Sequence, residues 1–122
     1  MAKIFISVLG ISPYLECYYH IDDQPYGPTR FVQEATLAHT CRSWAPEDRI
    51  LILTTAESHA KNWVDSGQSR EPYPGLESVI RGMGIPPALK EISIPEGANE
   101  GEIWKIFELL FGLLQEFYEV TF

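Results

Sequence analysis

Between two helix-patterned stretches lies Arg49-Ile50-Leu51-Ile52-Leu53-Thr54, with four apolar residues in succession. A strand wetted on one face alternates apolar with polar residues. A strand apolar at every position is covered on both faces, as in the parallel sheets of α/β proteins. Parallel strands need a crossover connection, usually a helix, so the rest of the chain has to supply alternating strands and helices. Lys3 to Leu9 reads as the first strand, with Ile4, Ile6 and Val8 alternating. Glu16 to Ile21 reads as a second, aromatic-rich extended segment, and Asp22 to Pro28 is turn chemistry, so the two make a hairpin-like excursion. Thr29 is placed to cap a helix carrying Phe31, Ala35, Leu37 and Ala38 on its apolar side and ending near Cys41. Thr54-Thr55-Ala56-Glu57 opens a short helix through Trp63. Gly67 to Gly75 is a Pro/Gly-rich loop, and Leu76 to Met83 is a further short helix. Glu91 to Ile94 is a third core strand. Pro95 to Glu100 leads into a long helix with Ile103, Trp104, Ile106, Phe107, Leu109, Leu110, Leu113 and Leu114, a wide apolar face. Tyr118 to Phe122 reads as the start of another strand.

This order predicts an α/β, Rossmann-like domain over residues 1–122: a mostly parallel sheet with helices on both faces. Such sheets bind ligands at the carboxyl ends of their strands. Three loops fall there: Leu9 to Tyr14, Thr54 to Glu57, and Pro95 to Asn99. The chain stops on an apparent core strand, which predicts a sheet that is incomplete or completed by a partner chain. The apolar helix and the open sheet together predict a homodimer.

Charge narrows the partners. Nine basic residues stand against seventeen acidic ones, a net charge of −8. Duplex nucleic acid is bound by many cations that neutralise phosphates, so duplex DNA is not expected as a partner. A small anion held by backbone N–H groups needs no net positive charge. No apolar run spans a membrane and no signal-peptide pattern opens the chain, so the expected location is cytoplasmic. Cys17 and Cys41 lie far apart without a C-x-x-C, which suggests neither zinc nor a disulfide framework.

The chemical motifs are sparse. The Gly10 loop is neither G-x-G-x-x-G nor a P-loop, and reads equally as a ligand-binding turn or a plain one. His20, His39 and His59 have no metal-ligand spacing and read as surface or packing residues. No G-x-S-x-G marks a hydrolase, and no arginine precedes a histidine at the spacing of a HEPN-type ribonuclease dyad. Glu96, Glu100 and Glu102 read as helix-terminal charges rather than a metal site. No cofactor or metal is expected. Tyr14, Tyr18, Tyr19 and Tyr26 suit either base stacking or sheet packing.

Four stretches in order, VLGISPYLECYY, TRFVQEATL, LILTTAESHAKNW and IPEGANEGEIWKIFELL, resemble the CARF domain (CRISPR-associated Rossmann fold) of type III CRISPR ancillary proteins. The resemblance covers nearly the whole chain. It implies a sensor of cyclic oligoadenylate, the ring-shaped second messenger of that antiviral defence, held across a two-fold dimer at the strand ends. Carried over, it implies ligand contacts from Gly10, Ile11, Ser12 and Tyr14 in the first loop. Thr29 and Arg30 follow at the helix start, with Arg30 a phosphate candidate. Thr54, Thr55 and Glu57 come from the second strand end, and Glu96, Gly97 and Asn99 from the third. Two departures stand out. Ile11-Ser12 replaces the family's Thr-Gly, leaving Ser12 to supply the hydroxyl. The family's Asp-Ile-Thr-His motif would begin where the chain ends at Val120-Thr121-Phe122, which implies a domain truncated before that motif, without its effector.

Three functions remain open on the sequence. The first is a sensor binding the ring as a tetra- or hexa-adenylate. The second is a ring nuclease that cleaves it by setting a 2′-hydroxyl in line with the next phosphate. The third is a non-catalytic half-domain awaiting a second chain.

Overall fold

A computed structural model describes residues 3–11, 14–65, 74–97 and 99–117, with the side chains of the last helix described through Leu113. The predicted strand over 118–122, Ser12, and most of the Gly67 to Gly75 loop lie outside the described residues.

The central run folds as its composition requires. Arg49–Thr54 forms β4, and its residues Ile50 to Thr54 are all at most 1% exposed. On one side it pairs in parallel with β1 (Ile4–Val8), Ile6 opposite Leu51. On the other it pairs in parallel with β5 (Ala88–Ser93), Ile52 opposite Glu91. The sheet order β1-β4-β5 makes the apolar strand central and leaves both neighbours as edges among the described residues.

Both crossovers advance across the sheet in one direction, which with right-handed connections puts their helices on one face. The core on that face joins Ile50 and Ile52 of β4 to Phe31, Leu37 and Cys41 in and around α1 (Val32–Thr40). Trp63 adds to it, as do Leu76 and Ile80 of α3 (Leu76–Met83). Leu51 and Leu53 point the other way, by strand alternation, and are equally buried. The long helix α4 (Glu100–Phe117) serves this second face. Ile106, Leu109, Leu110 and Leu113, spaced as one helical stripe, are half-buried or buried, while Ile103, Trp104, Phe107 and Phe111 are exposed. The fold is thus α/β and Rossmann-like, with helices on both faces of a parallel sheet.

The excursion after β1 is a two-stranded antiparallel hairpin, β2 (Cys17–Ile21) with β3 (Gln24–Thr29). Its turn is shorter than the Asp22 to Pro28 stretch suggests. Asp22 and Asp23 alone form it, both left-handed (φ 50° and 62°), as a two-residue hairpin turn with matching twist requires. Pro25 and Pro28 sit within β3, where an edge strand tolerates them.

Two boundaries differ from the sequence reading. Thr29 ends β3 and does not cap α1; Phe31 occupies the N-cap position, and Thr29 Oγ1 accepts the Phe31 N–H at 3.2 Å. The third core strand begins at Ala88 rather than Glu91, because pairing to β4 continues down to Arg49 opposite Ala88. The predicted helix after β4 is a single turn of α-helix, α2 (Ala56–Ser58), widening at once into a π-helical turn, His59–Trp63.

Candidate functional site

Parallel pairing brings the carboxyl ends of β1, β4 and β5 to one edge of the sheet. The three predicted loops therefore leave from the same side, and each can be followed residue by residue.

At the end of β1, Leu9 stays buried and ties back to β4 through its N–H to Leu53 O at 2.9 Å. The Gly10 N–H donates to the Tyr14 hydroxyl at 3.0 Å, closing the loop on itself. A Cβ at Gly10 would lie 2.6 Å from that hydroxyl, so any larger residue here would have to push the tip of Tyr14 aside. The Tyr14 ring packs tilted against Phe31, with centroids 5.7 Å apart. Ile11 is exposed. Arg30 braces the loop from behind. Its Nε donates to Tyr14 O at 3.0 Å, one terminal nitrogen to Pro74 O at 3.1 Å, and the other to Asn62 Oδ1 at 3.3 Å. Its guanidinium also lies 5.0 Å from the Phe31 ring centre. Asn62 in turn donates to Gly10 O at 2.8 Å and is 2% exposed. The arginine predicted for a phosphate is thus engaged with three protein oxygens.

At the end of β4, Thr55 caps α2. Its hydroxyl accepts the Ser58 N–H at 3.1 Å, and the Ser58 hydroxyl accepts the Thr55 N–H at 2.9 Å, a reciprocal capping box. Glu57 is exposed and paired with Lys61 at 2.9 Å, one helical turn on. Thr54 is buried, and its hydroxyl donates to Glu91 Oε2 at 2.7 Å. The same carboxylate oxygen lies 2.5 Å from Nδ1 of His59. A carboxylate only accepts, so Nδ1 is the donor of this bond. The His59 side chain is 46% exposed and that of Glu91 25%.

The π-helical turn connects these two clusters. It closes with Val64 N–H on His59 O, five residues apart, at 3.2 Å. Such turns are rare and recur at functional sites. Here one end, His59, meets β5 while the other, Asn62, holds the loop of β1.

The third loop is built for a helix start. Gly97 takes a left-handed conformation (φ 76°). Asn99 Oδ1 accepts the Glu102 N–H at 3.0 Å, and its Nδ2 donates to Glu102 Oε2 at 2.8 Å. Asn99 thus acts as the cap of α4, and Glu96 is exposed beside it. The acidic start of the helix is consistent with the predicted capping role.

The structure therefore gathers Gly10, Tyr14 and Arg30 into one bonded cluster and Thr54 into another. Thr29 is buried behind the first, and Ile11, Glu57 and Glu96 lie at the surface. Sequence reasoning missed Asn62, His59 and Glu91. The signal for Asn62 was its place in the quoted LILTTAESHAKNW stretch. His59 and Glu91 are 32 residues apart and meet only through strand register. His39 meets Asp22 at 3.0 Å on the surface, in line with its surface reading. Among the described residues no group of three His, Cys, Asp or Glu side chains is placed to hold a metal ion, and no helix is long and apolar enough to cross a membrane.

No family model matches the chain, and searches of curated proteins and of solved structures return no match.

Proposed function

We propose that the chain is a cytoplasmic sensor domain for cyclic oligoadenylate in type III CRISPR antiviral defence, acting as a homodimer. The observation that carries the reading is the convergence of the Gly10, Thr54 and Gly97 loops at the carboxyl edge of a parallel sheet, where α/β folds take their ligands. The order of the four sequence stretches supports the choice of ligand. The strongly acidic chain fits a small anion better than a nucleic-acid duplex.

Calorimetric titration with cyclic tetra-adenylate and cyclic hexa-adenylate tests it. The expected result is saturable binding of one of them, at one ring per two chains. Ser12→Ala is expected to weaken binding about fivefold, the worth of one hydrogen bond of about 1 kcal/mol. No heat with either ring overturns the reading.

A second reading, slow cleavage of the bound ring, is favoured by one specific feature. His59, held by Glu91 beside the end of β4, is the arrangement expected of a base next to a ligand.

A further inference from the structure

We infer that the Tyr14 hydroxyl is an internal competitor for the Gly10 N–H: it fills the seat of a ligand oxygen, and ligand binding displaces it and loosens the root of the β2–β3 hairpin. The inference rests on the cyclic oligoadenylate reading above and gives that site its regulation. Three observations converge. The Gly10 N–H, at the carboxyl end of β1, already holds an oxygen that is not backbone, the Tyr14 hydroxyl at 3.0 Å. Backbone donors at such strand ends are the groups that an anionic ligand takes. The space beside Gly10 is filled by that side chain. Among the described residues, chain neighbours aside, only the Tyr14 tip comes within 4 Å of where a Cβ would sit, Oη at 2.6 Å and Cζ at 3.8 Å. The third observation is a closed circuit. Gly10 N–H donates to Tyr14, Arg30 donates to Tyr14 O and to Asn62, and Asn62 donates to Gly10 O. Tyr14 lies just before β2 and Arg30 just after β3, so both feet of the hairpin belong to the circuit that holds Gly10.

An ionised oxygen accepts a stronger hydrogen bond than a phenol does, so a phosphate oxygen of the ring outcompetes the hydroxyl. Tyr14 is half-buried, and rotation of its side chain carries the hydroxyl away while Arg30 keeps hold of the Tyr14 carbonyl. That rotation gives up the tilted packing of the Tyr14 ring on Phe31, the residue next to Arg30. Occupancy of the Gly10 loop is thereby felt at the hairpin. The closed loop is the state without ligand, and its population lowers the apparent affinity by the fraction that remains open. Tyr14 is on this account a competitor of the ligand and not one of its contacts.

The test titrates the full chain and its Tyr14→Phe variant with cyclic tetra-adenylate and cyclic hexa-adenylate by calorimetry, and follows backbone amides by proton–nitrogen NMR. Tyr14→Phe keeps the aromatic ring on Phe31 and removes only the hydroxyl. It is expected to bind the ring about fivefold more tightly than the parent, the worth of one hydrogen bond no longer broken on binding. Without ligand, the Gly10 amide should exchange with solvent about fivefold faster in the variant. In the parent, the ring should shift the amides of Gly10, Cys17 and Arg30. The unliganded variant should already lie part-way along the Cys17 and Arg30 shifts, as a population moved toward the open state does. Equal or weaker ring binding by Tyr14→Phe overturns the inference and leaves the sensor reading standing, because Tyr14 is then a contact or a bystander. Equal Gly10 exchange in the two proteins, or Cys17 and Arg30 amides that ignore the bound ring in the parent, does the same. Ring binding by Tyr14→Phe alone supports both readings. Failure of both proteins to bind either ring overturns both.

Discussion

Arg30 and Asp48 show how single residues fix the two ends of the sheet. Arg30 joins Tyr14, Asn62 and Pro74, three points remote in sequence, through one planar fork. Replacing it with Met keeps much of its bulk and leaves the oxygens of Tyr14 and Asn62 without these donors. We expect a loss of about 2 kcal/mol, read as a lower urea midpoint with unchanged slope. A midpoint equal to that of the parent would show that the brace is dispensable. At the opposite edge, Asp48 accepts the Lys3 N–H at 2.7 Å and the Ala45 N–H at 2.8 Å, tying the start of β1 to the start of β4. These backbone bonds hold its carboxyl below the usual aspartate range. Asp65 is lowered too, by the Gly75 N–H and the Ser78 hydroxyl. A carboxyl depressed in the folded state contributes stability that is complete above its unfolded value of about 3.9 and is lost as pH falls through the folded value. Asp48→Asn and Asp65→Asn should therefore flatten the acid limb of the stability curve below about pH 4, and the double variant more than either. An acid limb identical to that of the parent would exclude both groups as its source.

Elements differ in how far the sequence reveals them. β4 was legible because burial on both faces leaves an unbroken apolar run. α3 was legible to the residue, since Gly75 precedes it and left-handed Gly84 (φ 64°) ends it. β5 was shortened because Ala88-Leu89-Lys90 follows Pro86-Pro87 and carries a charge, while its start is set by pairing to Arg49 and Ile50 rather than by its own pattern. Thr29 looked like a cap because its type suits one, but its hydroxyl meets the Phe31 N–H, one position ahead of the helix. The π-helical turn has no compositional mark. Of the candidate site, the glycine loop and the strand-end threonines were placed at the carboxyl edge from local chemistry. The pairing of His59 with Glu91 was not, because it depends on the register of two strands. In α4 the two stripes should separate by experiment. Leu113→Ala removes a buried side chain and should cost about 2–4 kcal/mol in unfolding free energy. Phe107→Glu, on the exposed stripe, should change stability by no more than about 0.5 kcal/mol. It should, however, convert a dimer to a monomer in sedimentation. A parent that sediments as a monomer at micromolar concentration, or a Phe107→Glu dimer, would remove this stripe from the proposed pairing.

At the scale of the whole molecule the two edges of the sheet have different work. The amino edge is stitched by the Asp48 carboxylate, which accepts the Lys3 and Ala45 N–H groups, and by the Arg49 N–H on Lys3 O. The carboxyl edge carries side chains whose bonds cross between strands, Asn62 to Gly10 and His59 to Glu91. The exposed stripe of α4 shapes a shallow groove of about 510 Å³ between Trp104, Phe107, Glu108, Phe111 and Gly112, on the helix that serves the second face. The carboxyl edge and the apolar stripe thus belong to separate elements.

The π-helical turn acts as a gear with one tooth too many. In a regular helix, residues three apart diverge by about 60° around the axis and look in nearly the same direction. Closing the ring five residues on instead of four slows the rotation, and the same two residues diverge by roughly 115°. His59 and Asn62 are three apart; one reaches the edge strand β5 and the other the loop that follows the opposite edge strand, β1. The extra residue is a phase shift written into the backbone: it turns His59 and Asn62 further apart around the axis than a regular helix would.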